Sequence, residues 1–113
     1  DSRRHKHAGA TVTILSSQKM LALVRNVDKE LTLNEIAFRY ADDTDLLIAE
    51  GYKEGDHDKI EIAAGLPEED LSCKTDKNII ALISEIEYNQ DIPQFKRDSI
   101  SEVAIWIEKR FLS

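Results

Sequence analysis

Apolar residues in this chain recur every three to four positions rather than in long runs, and that period is what most constrains its fold. The stretch KTDKNIIALISEIEYNQ (residues 74–90) carries Ile79, Ile80, Leu82, Ile83 and Ile86 as one apolar side, which predicts a helix. Met20, Leu21, Leu23, Val24 and Val27 predict another over residues 17–29. In ELTLNEIAFRY, Thr32 stands three residues before Glu35. That is the spacing of a capping box, in which each side chain satisfies a free amide at the helix start. Leu33, Ile36, Ala37 and Tyr40 form the buried face of this helix. After ADDT the stripe resumes with Leu46, Leu47 and Ile48 and stops at Gly51, a residue suited to the left-handed backbone beyond a helix. Residues 59–64 fit a strand through Ile60 and Ile62, or a short helix through Ile60, Ala63 and Ala64. The helix is preferred because Gly65 and Pro67 would end it. Ser99 and Glu102 have the spacing of a second capping box, which opens a terminal helix striped by Ile100, Val103, Ala104, Ile107 and Phe111. Trp106 stands outside that stripe, and either widens the buried face or is left for a partner.

The expected architecture is therefore mainly α, a compact bundle of four to five short helices. A short N-terminal β-strand is expected over residues 11–15, where TVTIL alternates β-branched and apolar side chains. Residues 1–10, DSRRHKHAGA, lack apolar periodicity and are read as a disordered basic tail: a basic arm, a metal-binding tract or an expression tag. Residues 11–113 then form a single globular helical domain, in keeping with 113 residues and an apolar share of 42%. No apolar run approaches the roughly 18 residues needed to span a bilayer, and no signal segment opens the chain, so a cytoplasmic protein away from membranes is expected. With Cys73 alone, neither an internal disulfide nor a cysteine-based zinc site can form.

Charge is split along the chain. Residues 1–40 carry seven basic and four acidic side chains, whereas residues 41–98 carry six and sixteen. Nucleic acid is held through Lys and Arg, so an acidic belt argues against it and for a basic protein partner. The candidate contact residues are Asp42, Asp43, Asp45, Glu50, Glu54, Asp56 and Asp58. Trp106, with Phe111 and Leu112, offers an apolar surface for such a partner or for a homodimer.

Chemistry-bearing motifs are sparse. Tyr40-Ala41-Asp42-Asp43 resembles the YADD signature of reverse transcriptases, whose two aspartates hold divalent cations. It stands between two apolar stripes without the surrounding sheet, and Asp42 or Asp43 is better read as the N-cap of the helix bearing Leu46 to Ala49. Glu54, Asp56, His57 and Asp58 offer metal donors but lack the register of a calcium loop. Cys73 with His57 shows no oxyanion site, and no glycine-rich phosphate loop is present. No catalytic residue, metal or cofactor is assigned. The tail ALISEIEYNQDIPQFKRDSISEVAIWIEKRF resembles the last helices of an acyl carrier protein, which implies a phosphopantetheine-bearing serine. Ser72 in LSCKTDKN stands near that place without the Asp-Ser-Leu signature. The sequence reading is thus of a small acidic, non-enzymatic, adaptor- or inhibitor-like domain that binds a basic protein, with an acyl-carrier-like domain as the alternative.

Overall fold

The computed structural model describes residues 2–113, so of the expected tail Asp1 lies outside the described residues. Among the described residues the chain is mixed α/β: three helices and five strands in two sheets, in place of the expected mainly α bundle. The chain divides into two compact units, the first ending at Asp42 and the second spanning Asp43–Ser113.

In the first unit, α1 (Ser2–His7) falls in the stretch read as disordered. Its four last residues, Arg4 to His7, are basic, and cations favour the negative end of the helix dipole. Gly9, at φ +98°, turns the chain out of α1, a conformation that costs glycine little. Strands β1 (Val12–Ser16) and β2 (Leu21–Arg25) then form an antiparallel hairpin, with Val12 opposite Arg25 and Ser16 opposite Leu21. Ser17 closes the hairpin loop, since its amide donates to Met20 O at 2.8 Å and its hydroxyl accepts from Met20 N at 3.1 Å. The expected helix over 17–29 is therefore a strand and its turn. The predicted capping box does form at α2 (Leu33–Tyr40): Glu35 N donates to Thr32 Oγ1 at 3.1 Å, and Thr32 N donates to Glu35 Oε1 at 3.3 Å. These bonds hold the Glu35 carboxyl below its ordinary range.

In the second unit, β3 (Lys59–Ile62), β4 (Ile79–Ile83) and β5 (Gln94–Phe95) form a parallel sheet with β4 in the centre. Two stretches expected to be helical are thus strands. Ala81 and Leu82, neighbours that face opposite sides of the sheet, are both fully buried. A strand buried on both faces reads as a continuous apolar run, and that run mimics a helical stripe. The helix expected at Leu46 to Ala49 is also absent. Those residues have no regular structure, and Asp42 and Asp43 lie in a turn after α2 rather than at an N-cap. Gly51 has the expected left-handed backbone, φ +83°, without a helix before it. Ala63, Leu71, Leu82 and Tyr88 form the buried cluster, with Cys73 and Ile92 packed against it. The terminal helix α3 (Ile100–Phe111) follows, and its Trp106 packs on Phe95 of β5 with ring centroids 5.7 Å apart. No helix among the described residues is long and apolar enough to cross a membrane.

Candidate functional site

Parallel strands align their carboxyl ends, and in open α/β sheets ligands bind outside that edge. Three segments leave it here: residues 63–71 after β3, 84–93 after β4, and 96–99 after β5. Hydrogen bonds hold the first two together. The Tyr88 hydroxyl, on a buried ring, donates to Leu66 O at 2.7 Å. Glu68 accepts from Asn89 N at 3.1 Å through one oxygen and from Gln90 Nε2 at 2.9 Å through the other. Gln94 works as a surrogate strand inside the 84–93 segment: its Oε1 accepts from Tyr88 N at 2.8 Å, and its Nε2 donates to Tyr88 O at 2.7 Å. Ser84 is buried at the tip of β4, where its amide donates to Phe95 O and its hydroxyl accepts from Ile86 N.

The result is a pinned shelf whose exposed charged side chains are mostly acidic: Glu69, Asp70, Glu85, Glu87, Asp91 and Asp98, against Lys96 and Arg97 after β5. Beneath it, Glu61 of β3 accepts from Ser72 N at 2.8 Å and Cys73 N at 3.0 Å, fixing the short turn of helix at Ser72–Lys74. The Cys73 thiol is pushed up by burial and then by the Glu61 charge. Its sulfur lies 3.8 Å from Gln90 Oε1. A thiol so held is a poor nucleophile.

The residues singled out from sequence lie elsewhere. Glu54, Asp56 and Asp58 belong to the loop that enters β3 at the opposite, amino end. At that end Lys59 Nζ bonds Asp76 at 2.7 Å and Gly55 O at 2.9 Å. The Lys59 bond and the Asn78 amide hold the Asp76 carboxyl below its ordinary range. Asp58 pairs with Arg110 of α3 at 3.5 Å, and the Arg110 guanidinium sits 5.8 Å from the Trp106 ring centre, so these two sequence candidates meet through one arginine. Asp45 lines an open depression of about 460 Å³ with Phe111, Leu112 and Ser113. Asp42 belongs to the first unit, and Asp43 and Glu50 are exposed in the second. Glu54, Asp56, His57 and Asp58 gather no metal site, and no group of three such ligands does so among the described residues. Sequence reasoning missed Glu68, Ser84, Tyr88 and Gln94. The available signal was the polar run EYNQDIPQ between two apolar segments, which marks a structured connection.

Comparison with known proteins bears on the whole chain. The family model described as MobB, molybdopterin guanine dinucleotide synthesis protein B, matches residues 1–85. A crystal structure of molybdopterin-guanine biosynthesis protein B is 25% identical and superposes with a TM-score of 0.74, covering 99% of this chain and 74% of that one. No curated protein matches. These findings overturn both functional expectations from the sequence, the adaptor- or inhibitor-like acidic domain and the acyl-carrier-like domain.

Proposed function

This chain belongs to the family of molybdopterin guanine dinucleotide synthesis protein B, and from that premise we propose that it serves in joining a guanine nucleotide to molybdopterin. One observation carries the reading. The likeness to a solved protein of that title runs over 99% of the chain, so both units are shared with it.

The chain acts by holding a ligand rather than by chemistry of its own. In support, burial and the adjoining Glu61 charge push the Cys73 thiol up, which makes it a poor nucleophile. The carboxyl edge of β3–β5 is the ligand-facing side in this reading. Its carboxylates suit the N–H donors of a guanine ring and repel phosphates. Glu50, Glu54 and Asp56, exposed elsewhere on the second unit, would meet a basic partner protein, and the protein would work in the cytoplasm.

The test is genetic and chemical. The chain is expressed in cells lacking their own protein of this family, and the guanine dinucleotide form of molybdopterin is measured by mass spectrometry. A rise over the empty-vector level is expected. An unchanged level, with the chain folded and abundant, would refute the reading.

A further inference from the structure

The open depression of about 460 Å³ that Asp45 shares with Phe111, Leu112 and Ser113 contains none of the residues of the carboxyl-edge shelf. All four belong to the second unit. Their chemistry favours a cation in three ways. Asp45 is an exposed carboxylate that forms no ion pair among the described residues. Phe111 and Leu112 stand at the end of α3, a helix of 12 residues whose carboxyl end carries the negative end of its dipole. The Phe111 ring is 41% exposed, and the face of such a ring attracts a guanidinium. Arg110 already has its guanidinium 5.8 Å from the centre of that ring, but it is engaged by Asp58 at 3.5 Å and does not line the depression. The field of the unit acts in the same direction, since residues 43–113 carry seventeen acidic side chains against eight basic. Leu112 adds exposed apolar surface, so the lining suits a cation on an apolar stem better than a bare ion.

We propose that this depression seats an arginine side chain of a basic partner protein. Such a seat rests on the basic partner of the functional reading above and specifies its anchor. Arginine fits better than lysine. Its planar fork donates to both oxygens of a carboxylate such as Asp45, its flat face lies on a ring such as Phe111, and its stem covers Leu112.

The test is NMR titration of the isotope-labelled full chain with acetyl-Leu-Arg-Leu-amide, its lysine and citrulline counterparts, and acetyl-arginine amide. The arginine peptide should shift the amide signals of Asp45, Phe111, Leu112 and Ser113, the lysine peptide should bind more weakly, and the neutral citrulline peptide should not bind. Added salt should weaken the arginine peptide. Acetyl-arginine amide should bind more weakly than the peptide, because it lacks the leucines that meet Leu112. Asp45→Asn should cost the arginine peptide about twofold to fivefold in affinity, as one exposed charge contact implies, and Phe111→Leu a similar amount. Asp45 stands in a stretch without regular structure, so its variant decides the matter even where Phe111→Leu disturbs α3. Glu54→Gln with Asp56→Asn, exposed acids outside the depression, should leave the affinity unchanged. Unchanged affinity in Asp45→Asn overturns the site, and so does binding of the citrulline peptide or an equal loss from the Glu54 and Asp56 pair, which would mean diffuse attraction to an acidic surface. Equal binding of the lysine peptide overturns the choice of arginine, and equal binding of acetyl-arginine amide overturns a protein as its source. Dinucleotide synthesis in cells with unchanged peptide affinity in Asp45→Asn defeats this site alone. Peptide binding at this site without synthesis defeats the functional reading alone.

Discussion

Leu82 and Leu21 are the same side chain in strands of equal length, yet Leu82 is 0% exposed and Leu21 67%. The difference follows the two units. Every fully or nearly buried apolar residue described, Ala63, Leu71, Ile79, Ala81, Leu82 and Tyr88, belongs to the second unit. In the first, Ile14, Leu15, Met20, Leu21, Val24 and Phe38 are all exposed, and α2 buries no residue. A three-stranded parallel sheet with connections packed over it closes a core, whereas a two-stranded hairpin is at best marginal by itself. Local order in the first unit therefore comes from backbone devices, the capping box, the Gly9 turn and the Ser17 loop closure, and in the second from burial.

The sharpest way to break that comparison is a pair of leucine truncations. Leu82→Ala should cost about 2–5 kcal/mol of unfolding free energy, measured by urea denaturation, because a cavity opens between Ala63, Leu71 and Tyr88. Leu21→Ala should stay within about 0.5 kcal/mol, as exposed substitutions do. Equal losses would show that the hairpin is buried in the working protein and would erase the contrast. Thr32→Ala comes next, at about 0.5–2 kcal/mol for the lost helix cap. The effect should appear as faster amide exchange confined to residues 33–40, and exchange spreading to β4 would argue that the units unfold as one. Tyr88→Phe removes a single hydroxyl bond to Leu66 and should cost about 0.5–1.5 kcal/mol, loosening residues 84–93 while leaving α2 untouched.

The smallest effect concerns Asp76, at the amino edge of the same sheet. Its folded pKa is lowered by Lys59 and by the Asn78 amide, so it favours the folded state above its ordinary unfolded value of about 3.9. That contribution fades as pH falls through the lowered folded value. Acid titration followed by NMR should release the Asn78 amide as pH falls through that lowered value, and Asp76→Asn should remove that step.

Legibility from sequence divides along similar lines. The Thr32–Glu35 capping box, the strand near residues 11–15 and the terminal helix from Ile100 were open to reading, because each is set by neighbours three or four positions away. Even there the terminal cap differs: Ser99 stands at the helix start, but its side chain makes no capping bond. Gly9 was available as a helix-end signal for α1, yet six polar residues before it carry no apolar period to register. The candidate site was almost closed to reading. Glu61 reads as a solvent-facing charge between two isoleucines, and in the structure it turns toward Ser72 and Cys73 while Ile62 is 68% exposed.

The charge split and the local caps are properties of chain order, and they were present before any folding was considered. Whether residues 79–83 become helix or strand is not such a property. Five consecutive apolar residues satisfy a helical stripe and a doubly buried strand equally, and only the pairing of β4 with β3 and β5 chooses between them. That choice requires partners some twenty residues away in the chain on one side and about a dozen on the other. It also decides where the carboxyl edge lies, and with it which of the chain's many acids and amides stand along that edge.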